Sequence, residues 1–308
     1  MQATLAGIRI LVLGGDHREV EMVRCLARQG GEVYTVGHRP YPGYENVLQV
    51  ESLGPFPEAI PKVDAIIAPM SHTDSTGKVR AVPEEGVTIW LDDRLFERFP
   101  PGTPLFIGKA LPVVKETAGR WGIRLFETAE DDEIAVLNSI PTAEGAIQIA
   151  MEELPITLHG SRSLVLGLGR CGLTLVRMLK GLGVKVTAAA RNRAQLARAA
   201  EMGAEAVPLD ALGEVVPAVD VVFNTIPALV LTRELLEKMP KEALIIDIAS
   251  SPGGVDFEAA ADLGIKGILA PGLPGKVAPI TAGRILGKCL PRMILSALSS
   301  EGETPAKS

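Results

Sequence analysis

The chain is poor in cysteine, and the three it has, Cys25, Cys171 and Cys289, are odd in number, far apart and outside any metal-ligand spacing. Neither a disulfide framework nor a zinc site is expected, and a reducing cytoplasm suits it. Basic charge is also short: 31 Lys and Arg against 37 Asp and Glu give a net charge of −6. Nucleic-acid binding therefore lacks electrostatic support. No apolar run approaches the roughly 18 residues of a membrane span, and Met1–Arg9 lacks a long uncharged core. A soluble protein with no membrane contact is expected. There is no internal repeat beyond a βα unit and no low-complexity stretch before the polar end at Ser299–Ser308, which reads as disordered. What remains is ordinary globular composition, 47% apolar and 22% charged over 308 residues, enough for about two domains. A small ligand is the first partner to look for.

The chain is organised around Ser163–Gly172. The apolar run Leu164-Val165-Leu166 leads into Gly167-x-Gly169-x-x-Gly172, and Leu173, Leu175, Val176 and Leu179 follow at helical spacing. In such a strand, turn and helix the first glycine allows a tight turn. The second lets backbone approach a pyrophosphate, and the third lets the helix pack on the strand. Arg170 and Cys171 fill the variable positions, where backbone amides and the helix dipole would meet phosphate. A glycine turn with no ligand is the plainer alternative. Beyond it, strands at Val184–Ala190, Ala204–Val207, Val219–Asn224, Ala243–Ala249 and Gly267–Ala270 alternate with helices at Arg193–Met202, Leu209–Val216, Thr232–Met239 and Val255–Leu263. This is the pattern of a doubly wound dinucleotide-binding domain. Asn224, Thr225, Ile226 and Pro227 follow one strand, and Asp247 and Ala249 end another, so both segments are expected to line the nicotinamide side.

The position where an acidic residue would hold the ribose hydroxyls of NAD is Ala190. Arg191 and Arg193 follow it with Asn192 between them, a set suited to a 2′-phosphate, and NADP is the expected cofactor. The plainer alternative is two ordinary arginines at a helix start.

An earlier strand, Ile8–Leu13, runs through Gly14-Gly15-Asp16 into a helix bearing Val20, Val23 and Leu26, and Val33–Val36 resumes as strand. This turn lacks the three-glycine spacing and holds an aspartate where phosphate would be repelled. The first domain is therefore expected to be a flavodoxin- or Rossmann-like parallel sheet that takes substrate rather than dinucleotide. Further strands are expected at Ala65–Ala68, Thr88–Leu91, Leu105–Ile107 and Arg124–Phe126, with a helix near Val113–Trp121. The hydroxyl-rich loop Pro69–Gly77, leading to Lys78 and Arg80, is either a ligand loop or a solvated turn. Pro141–Leu154 reads as a helix connecting the domains, with Pro141 in its first turn and Ser139 or Thr142 as cap. Alternatively, Thr142 and Glu144 face the cleft between domains. The expected division is a substrate domain over 1–140, the connecting helix within 141–158 and a dinucleotide domain over 159–278. A helix over 279–299 closes back on the first domain, and 300–308 form the tail.

The segments Gly14–Arg18, Asn138–Gly145, His159-Gly160-Ser161, Leu166–Arg170, Asn224–Pro227, Ser251–Gly254 and Ala270–Gly275 with Ala278-Pro279 resemble the A subunit of bacterial dipicolinate synthase. The match runs from about Leu5 to about Leu298. The resemblance implies NADP-dependent oxidation of dihydrodipicolinate, or its hydrated precursor, from the lysine pathway, in the mother cell of a spore former. It also implies an oligomer that works with a smaller flavoprotein-like B subunit. In the Ser71–Gly77 loop the chain departs from the family, with His72 and Asp74 in place of smaller residues. For this reaction Arg18 is assigned to one substrate carboxylate. Ser71, Thr73, Ser139 and Thr142 are assigned to substrate as well, and Glu144 or His159 takes the proton. The alternatives are a shikimate-type or amino-acid dehydrogenase, using Lys109 or His72, and a nucleotide-binding subunit that serves a flavoprotein without turnover of its own.

Overall fold

The computed structural model describes residues 4–39, 41–50, 62–71, 73–79 and 88–299. The chain forms two compact units, one running to Ile134 and resuming at Ala278, the other spanning Ala135–Val277.

The first unit holds β1 (Arg9–Leu13), α1 (His17–Arg28), β2 (Glu32–Val36), β3 (Val47–Val50), β4 (Ala65–Ile67), β5 (Lys78–Val79), β6 (Ile89–Trp90), α2 (Asp93–Phe96), β7 (Pro104–Ile107), α3 (Pro112–Arg120) and β8 (Arg124–Glu127). Six strands form a parallel sheet in the order β3-β2-β1-β4-β7-β8. This is the Rossmann order rather than the flavodoxin one, with the reversal of strand order falling between β1 and β4. The segment around Thr88–Leu91 does not join this sheet. It pairs antiparallel with β5 as a two-residue ribbon. The burial pattern explains why: Ile89 and Leu91 are buried while Trp90 is 43% exposed, the alternation of a ribbon with one solvated face. β3 carries little sequence signal because it is a sheet edge whose Leu48 is 57% exposed, so it lacks the apolar run of a doubly covered strand.

From the first unit α4 (Asp132–Glu153) continues into the second. It begins well before the expected connecting helix, so Pro141 lies inside it and neither Ser139 nor Thr142 caps it. Asp131 does, accepting from the Ile134 N–H at 3.0 Å. A proline at this depth deprives the Leu137 carbonyl of its helical donor. The flanking carbonyls are taken by hydroxyls, Ser139 donating to Val136 at 2.6 Å and Thr142 to Asn138 at 2.7 Å, which lets the helix run through.

The second unit holds β9 (Arg162–Leu166), α5 (Arg170–Gly181), β10 (Lys185–Ala190), α6 (Arg193–Glu201), β11 (Glu205–Pro208), α7 (Leu212–Val215), β12 (Val221–Asn224), α8 (Arg233–Leu236), β13 (Leu244–Asp247), α9 (Phe257–Leu263), β14 (Lys266–Leu269) and α10 (Leu273–Val277). All six strands are parallel in the order β11-β10-β9-β12-β13-β14. Alternate residues feed two separate cores. Val165, Ala188, Val221, Phe223 and Ile246 enter one, while Leu164, Leu166, Ala189, Val222 and Ile245 enter the other. With both faces covered, every strand position can be apolar, which is why these strands read clearly from sequence.

The chain then returns to the first unit as α11 (Pro279–Ser299), which packs on α1. The approach depends on small residues. A Cβ at Gly283 would stand 2.4 Å from the Arg18 carbonyl oxygen, and one at Gly287 2.3 Å from Cys25 Cβ. Gln29 Nε2 donates to the Gly287 carbonyl at 2.8 Å and Arg284 pairs with Glu21 at 3.0 Å. The expected tail, 300–308, and the expected positions Arg80 and His72 lie outside the described residues.

Candidate functional site

In sheets of this order, ligands bind beyond the carboxyl ends of the strands, at the point where strand order reverses. In the second unit that point lies between β9 and β12, so the turn Gly167–Gly172 and the segment Asn224–Pro227 flank it. Each glycine has a distinct requirement. Gly167 has φ +86°, and a Cβ there would lie 2.4 Å from Thr225 Oγ1; at Gly172 a Cβ would lie 1.9 Å from the Gly167 oxygen. Gly169 differs: nothing stands within 4 Å of the place its Cβ would occupy. It is the N-cap of α5, with no side-chain capping bond. The first turn of α5 therefore opens on unfilled space with no side-chain cap, the arrangement in which helix starts bind anions.

Thr225 Oγ1 donates across the crevice to the Leu166 oxygen at 2.9 Å. Asn224 and Asp247, both fully buried, act inside the protein rather than on a ligand. Asn224 Nδ2 donates to Asp247 Oδ1 at 2.9 Å and to the Ile226 oxygen at 3.0 Å, and its Oδ1 accepts from the Ile226 amide. Asp247 also accepts from the amides of Ala249 at 2.9 Å and Gly254 at 2.8 Å. The pair locks the turns after β12 and β13 together, leaving Thr225 and Ile226 partly exposed and Pro227 exposed. Asp247→Ala strands three buried donors, so unfolding should be easier by roughly 3 kcal/mol or more. A thermal melt at unchanged midpoint would contradict the role.

At the end of β10, Ala190 is buried and Arg191, Asn192 and Arg193 are exposed. Asn192 Oδ1 caps α6 by accepting from the amides of Ala194 and Gln195, which leaves its amide nitrogen as the donor. Cys171 packs toward Thr142, and burial pushes its thiol up. A buried thiol with a raised pKa is not a reactive sulfur.

Several sequence-assigned residues are placed elsewhere. His159 is exposed before β9, at the amino end of the strands, and donates from Nδ1 to the Leu182 oxygen at 3.1 Å. The length of β9 separates it from the glycine turn. Ser139 is fully buried and shares a 2.6 Å bond with Thr174 Oγ1, so its hydroxyl is already used. Thr142 likewise donates to its own helix. Glu144 is exposed and lines a groove of about 620 Å³ with Ile147, Met151, Met178 and Leu182; no residue of the glycine turn lines it.

In the first unit the reversal point lies between β1 and β4. Beyond it sit the turn Gly14–Glu19 and the segment Ala68–Thr73, the latter described without His72. Gly14 and Gly15 have φ of +57° and +120°. Asp16 caps α1 and pairs with Arg18, Nη2 to Oδ2 at 2.8 Å and Nε to Oδ1 at 2.9 Å. Burial pushes the Asp16 carboxyl up, but the Arg18 bonds outweigh it and hold it below the usual range. Arg18 itself is only 7% exposed. His38, also buried, bonds through Nε2 to the Gly14 oxygen at 2.8 Å and through Nδ1 to Tyr44 Oη at 3.0 Å. The carbonyl can only accept, so Nε2 carries the hydrogen and Nδ1 receives the phenol's. Burial lowers the imidazole's pKa and raises the phenol's, which keeps both neutral. Five buried side-chain polar atoms among the described residues lack a hydrogen-bond partner, and two of them, Ser71 Oγ and Thr73 Oγ1, fall in this one loop. Asp74, by contrast, serves the ribbon turn, accepting from Thr76 and Lys78. Lys109 is exposed.

Sequence reasoning misses Glu19, His38 and Tyr44. Asp16-x-x-Glu19 is a visible capping signature, yet the second bond of Glu19, to the Met70 amide, has no local signal.

Comparison with known proteins agrees with this geometry. Residues 9–129 match the family model for the N-terminal domain of the dipicolinate synthase A subunit, and residues 142–261 match that for the D-isomer specific 2-hydroxyacid dehydrogenase NAD binding domain. The dipicolinate synthase A subunit of Bacillus subtilis (strain 168) is 39% identical over 302 residues, covering 97% of this chain and all of the relative. The crystal structure of the dipicolinate synthase A subunit from Bacillus halodurans superposes with TM-score 0.89 at 38% identity, over 94% of this chain and 99% of that one. A transhydrogenase from Sinorhizobium meliloti shares the fold, with TM-score 0.66 at 18% identity over 94% and 95% of the two chains. The second unit is thus a nicotinamide-dinucleotide-binding domain of dehydrogenase type.

Proposed function

Because the chain belongs to the family of dipicolinate synthase A subunits, we propose that it oxidises a dihydrodipicolinate-type ring to dipicolinate, with NADP in the second unit and the ring's carboxylates held by the first. The observation that carries the substrate side is the pair of buried, unpartnered hydroxyls of Ser71 and Thr73 at the reversal point of a sheet whose β1 turn presents Arg18. A buried hydroxyl without a partner costs stability unless a ligand uses it. Two such donors and a guanidinium suit an anionic group. Arg18 meets Asp16 through its Nε–Nη2 edge, and a guanidinium has five N–H donors in all. Its remaining donors are assigned to the substrate carboxylate.

On the nucleotide side, the open space at Gly169 and the uncapped start of α5 hold the pyrophosphate. Arg191, Asn192 and Arg193 hold the 2′-phosphate, and Thr225–Pro227 lie against the nicotinamide. Bound NADP supplies the hydride acceptor. The reaction balances as dihydropyridine plus NADP+ giving pyridine, NADPH and one proton. Aromatisation provides the driving force, so the proton can pass to water, and neither Glu144 nor His159 is needed. Family membership supports a cytoplasmic role in a sporulating mother cell beside a B subunit. Among the described residues no helix is long and apolar enough to cross a membrane.

The test is turnover by purified chain with NADP and dihydrodipicolinate, with and without the partner protein. Dipicolinate and NADPH should appear in equal amounts. If no dipicolinate forms in either mixture, the proposal fails; if it forms without NADPH, the cofactor assignment fails.

A further inference from the structure

Glu19 is 1% exposed, and both of its oxygens accept from backbone amides on opposite sides of the crevice between β1 and β4. Oε2 accepts from Asp16 at 2.7 Å, within its own turn, and Oε1 from Met70 at 2.9 Å, the residue before Ser71. The approach requires Gly15, whose Cβ would lie 2.5 Å from Glu19 Cγ. Gly108, in turn, leaves no room for a side chain under Met70, whose carbonyl oxygen would be 2.3 Å from a Cβ there. An ordinary capping box would need only the first bond. The second makes the carboxylate a tie between the turn that carries Arg18 and the loop that carries Ser71 and Thr73.

Resting on the substrate site proposed above, we propose that Glu19 is a positioning residue for dicarboxylate binding: its ionised carboxylate sets the spacing between the Arg18 turn and the Ser71–Thr73 loop. Only the ionised form offers a full acceptor on each oxygen. Burial, reinforced by the Asp16 charge, pushes the Glu19 carboxyl up to about 7, against Arg18 and the two backbone amides. The other titratable groups around it are Asp16, held low, Arg18, and the neutral pair His38 and Tyr44. The sign follows: above about pH 7 the tie is intact, and below it protonation loosens one of the two bonds. Affinity for a dicarboxylate should therefore fall as pH drops through that value, although the ligand's own charge would favour no such fall.

The experiment is calorimetric titration of the full chain with dipicolinate, and separately with NADP, from pH 8 to pH 6. The wild type should bind dipicolinate more weakly at the acid end. Glu19→Gln, which can accept on only one side, should bind it roughly tenfold or more weaker at pH 8, as expected for displaced ligand groups. It should show a flat pH profile and an unchanged NADP affinity. If Glu19→Gln does not fold, the wild-type profile alone decides, and a flat one overturns the proposal. Equal affinity of variant and wild type, or parallel pH profiles, also overturns it while leaving the substrate site standing. Failure of the wild type to bind dipicolinate at any pH sinks the substrate-site reading, and Glu19's role with it.

Discussion

Gly169→Ala should fold as the wild type does and lose most of its affinity for NADP. The position has φ −75° and open space where the new methyl would go, so the change costs stability only through the poorer N-cap, about 1 kcal/mol or less. In the proposed function that open space is where the pyrophosphate approaches the backbone. A methyl group there imposes an overpacking cost of about 3 kcal/mol, or roughly 100-fold in dissociation constant. Gly172→Ala makes the contrast. Its Cβ would collide with the Gly167 oxygen, so binding and thermal stability should fall together. Titration with NADP beside a thermal melt separates the two glycines. Equal stability losses in both variants would mean that the space at Gly169 is structural.

Replacing both Arg191 and Arg193 by alanine should weaken NADP by roughly 100-fold or more and NAD by little. Each lost charge-assisted bond is worth about 1.5–3 kcal/mol, and only NADP offers the 2′-phosphate. Neither arginine is buried, so the fold should be unaffected. Asn192 should stay in place, because its side chain caps α6 whatever is bound. Equal weakening of both cofactors would show that the arginines do not hold a 2′-phosphate.

What is legible in the sequence follows from where the information sits. The Gly167–Gly172 turn is a local signal: Gly167 and Gly172 are demanded by contacts of the turn with itself and with Thr225, and Gly169 stands between them beside open space. The strands around it are doubly covered, so their apolar runs stand out. The start of α4 is misplaced from sequence because Pro141 suits a first turn, while the hydroxyls that let the helix pass through it are visible only in three dimensions. Asn224 and Asp247 end β12 and β13, and both are buried and bonded to each other, where the sequence alone has them lining the nicotinamide side. Their mutual bond spans 23 residues, and sequence cannot distinguish a ligand contact from a lock between turns. The same holds for Glu19, whose defining partner, Met70, is 51 residues away. Arg18 reads as a carboxylate ligand from sequence, and in the structure it is also one half of an ion pair with Asp16.

In the proposed function this chain itself carries out the hydride transfer. The most direct measurement uses dihydrodipicolinate deuterated at every saturated ring carbon, so that any hydride leaving the ring carries label, incubated with the purified chain and NADP, and mass analysis of the recovered cofactor. Deuterated NADPH, formed one for one with dipicolinate, is the predicted result. Unlabelled NADPH with deuterium released to water, or dipicolinate formed only when the partner protein takes up the label, would contradict it.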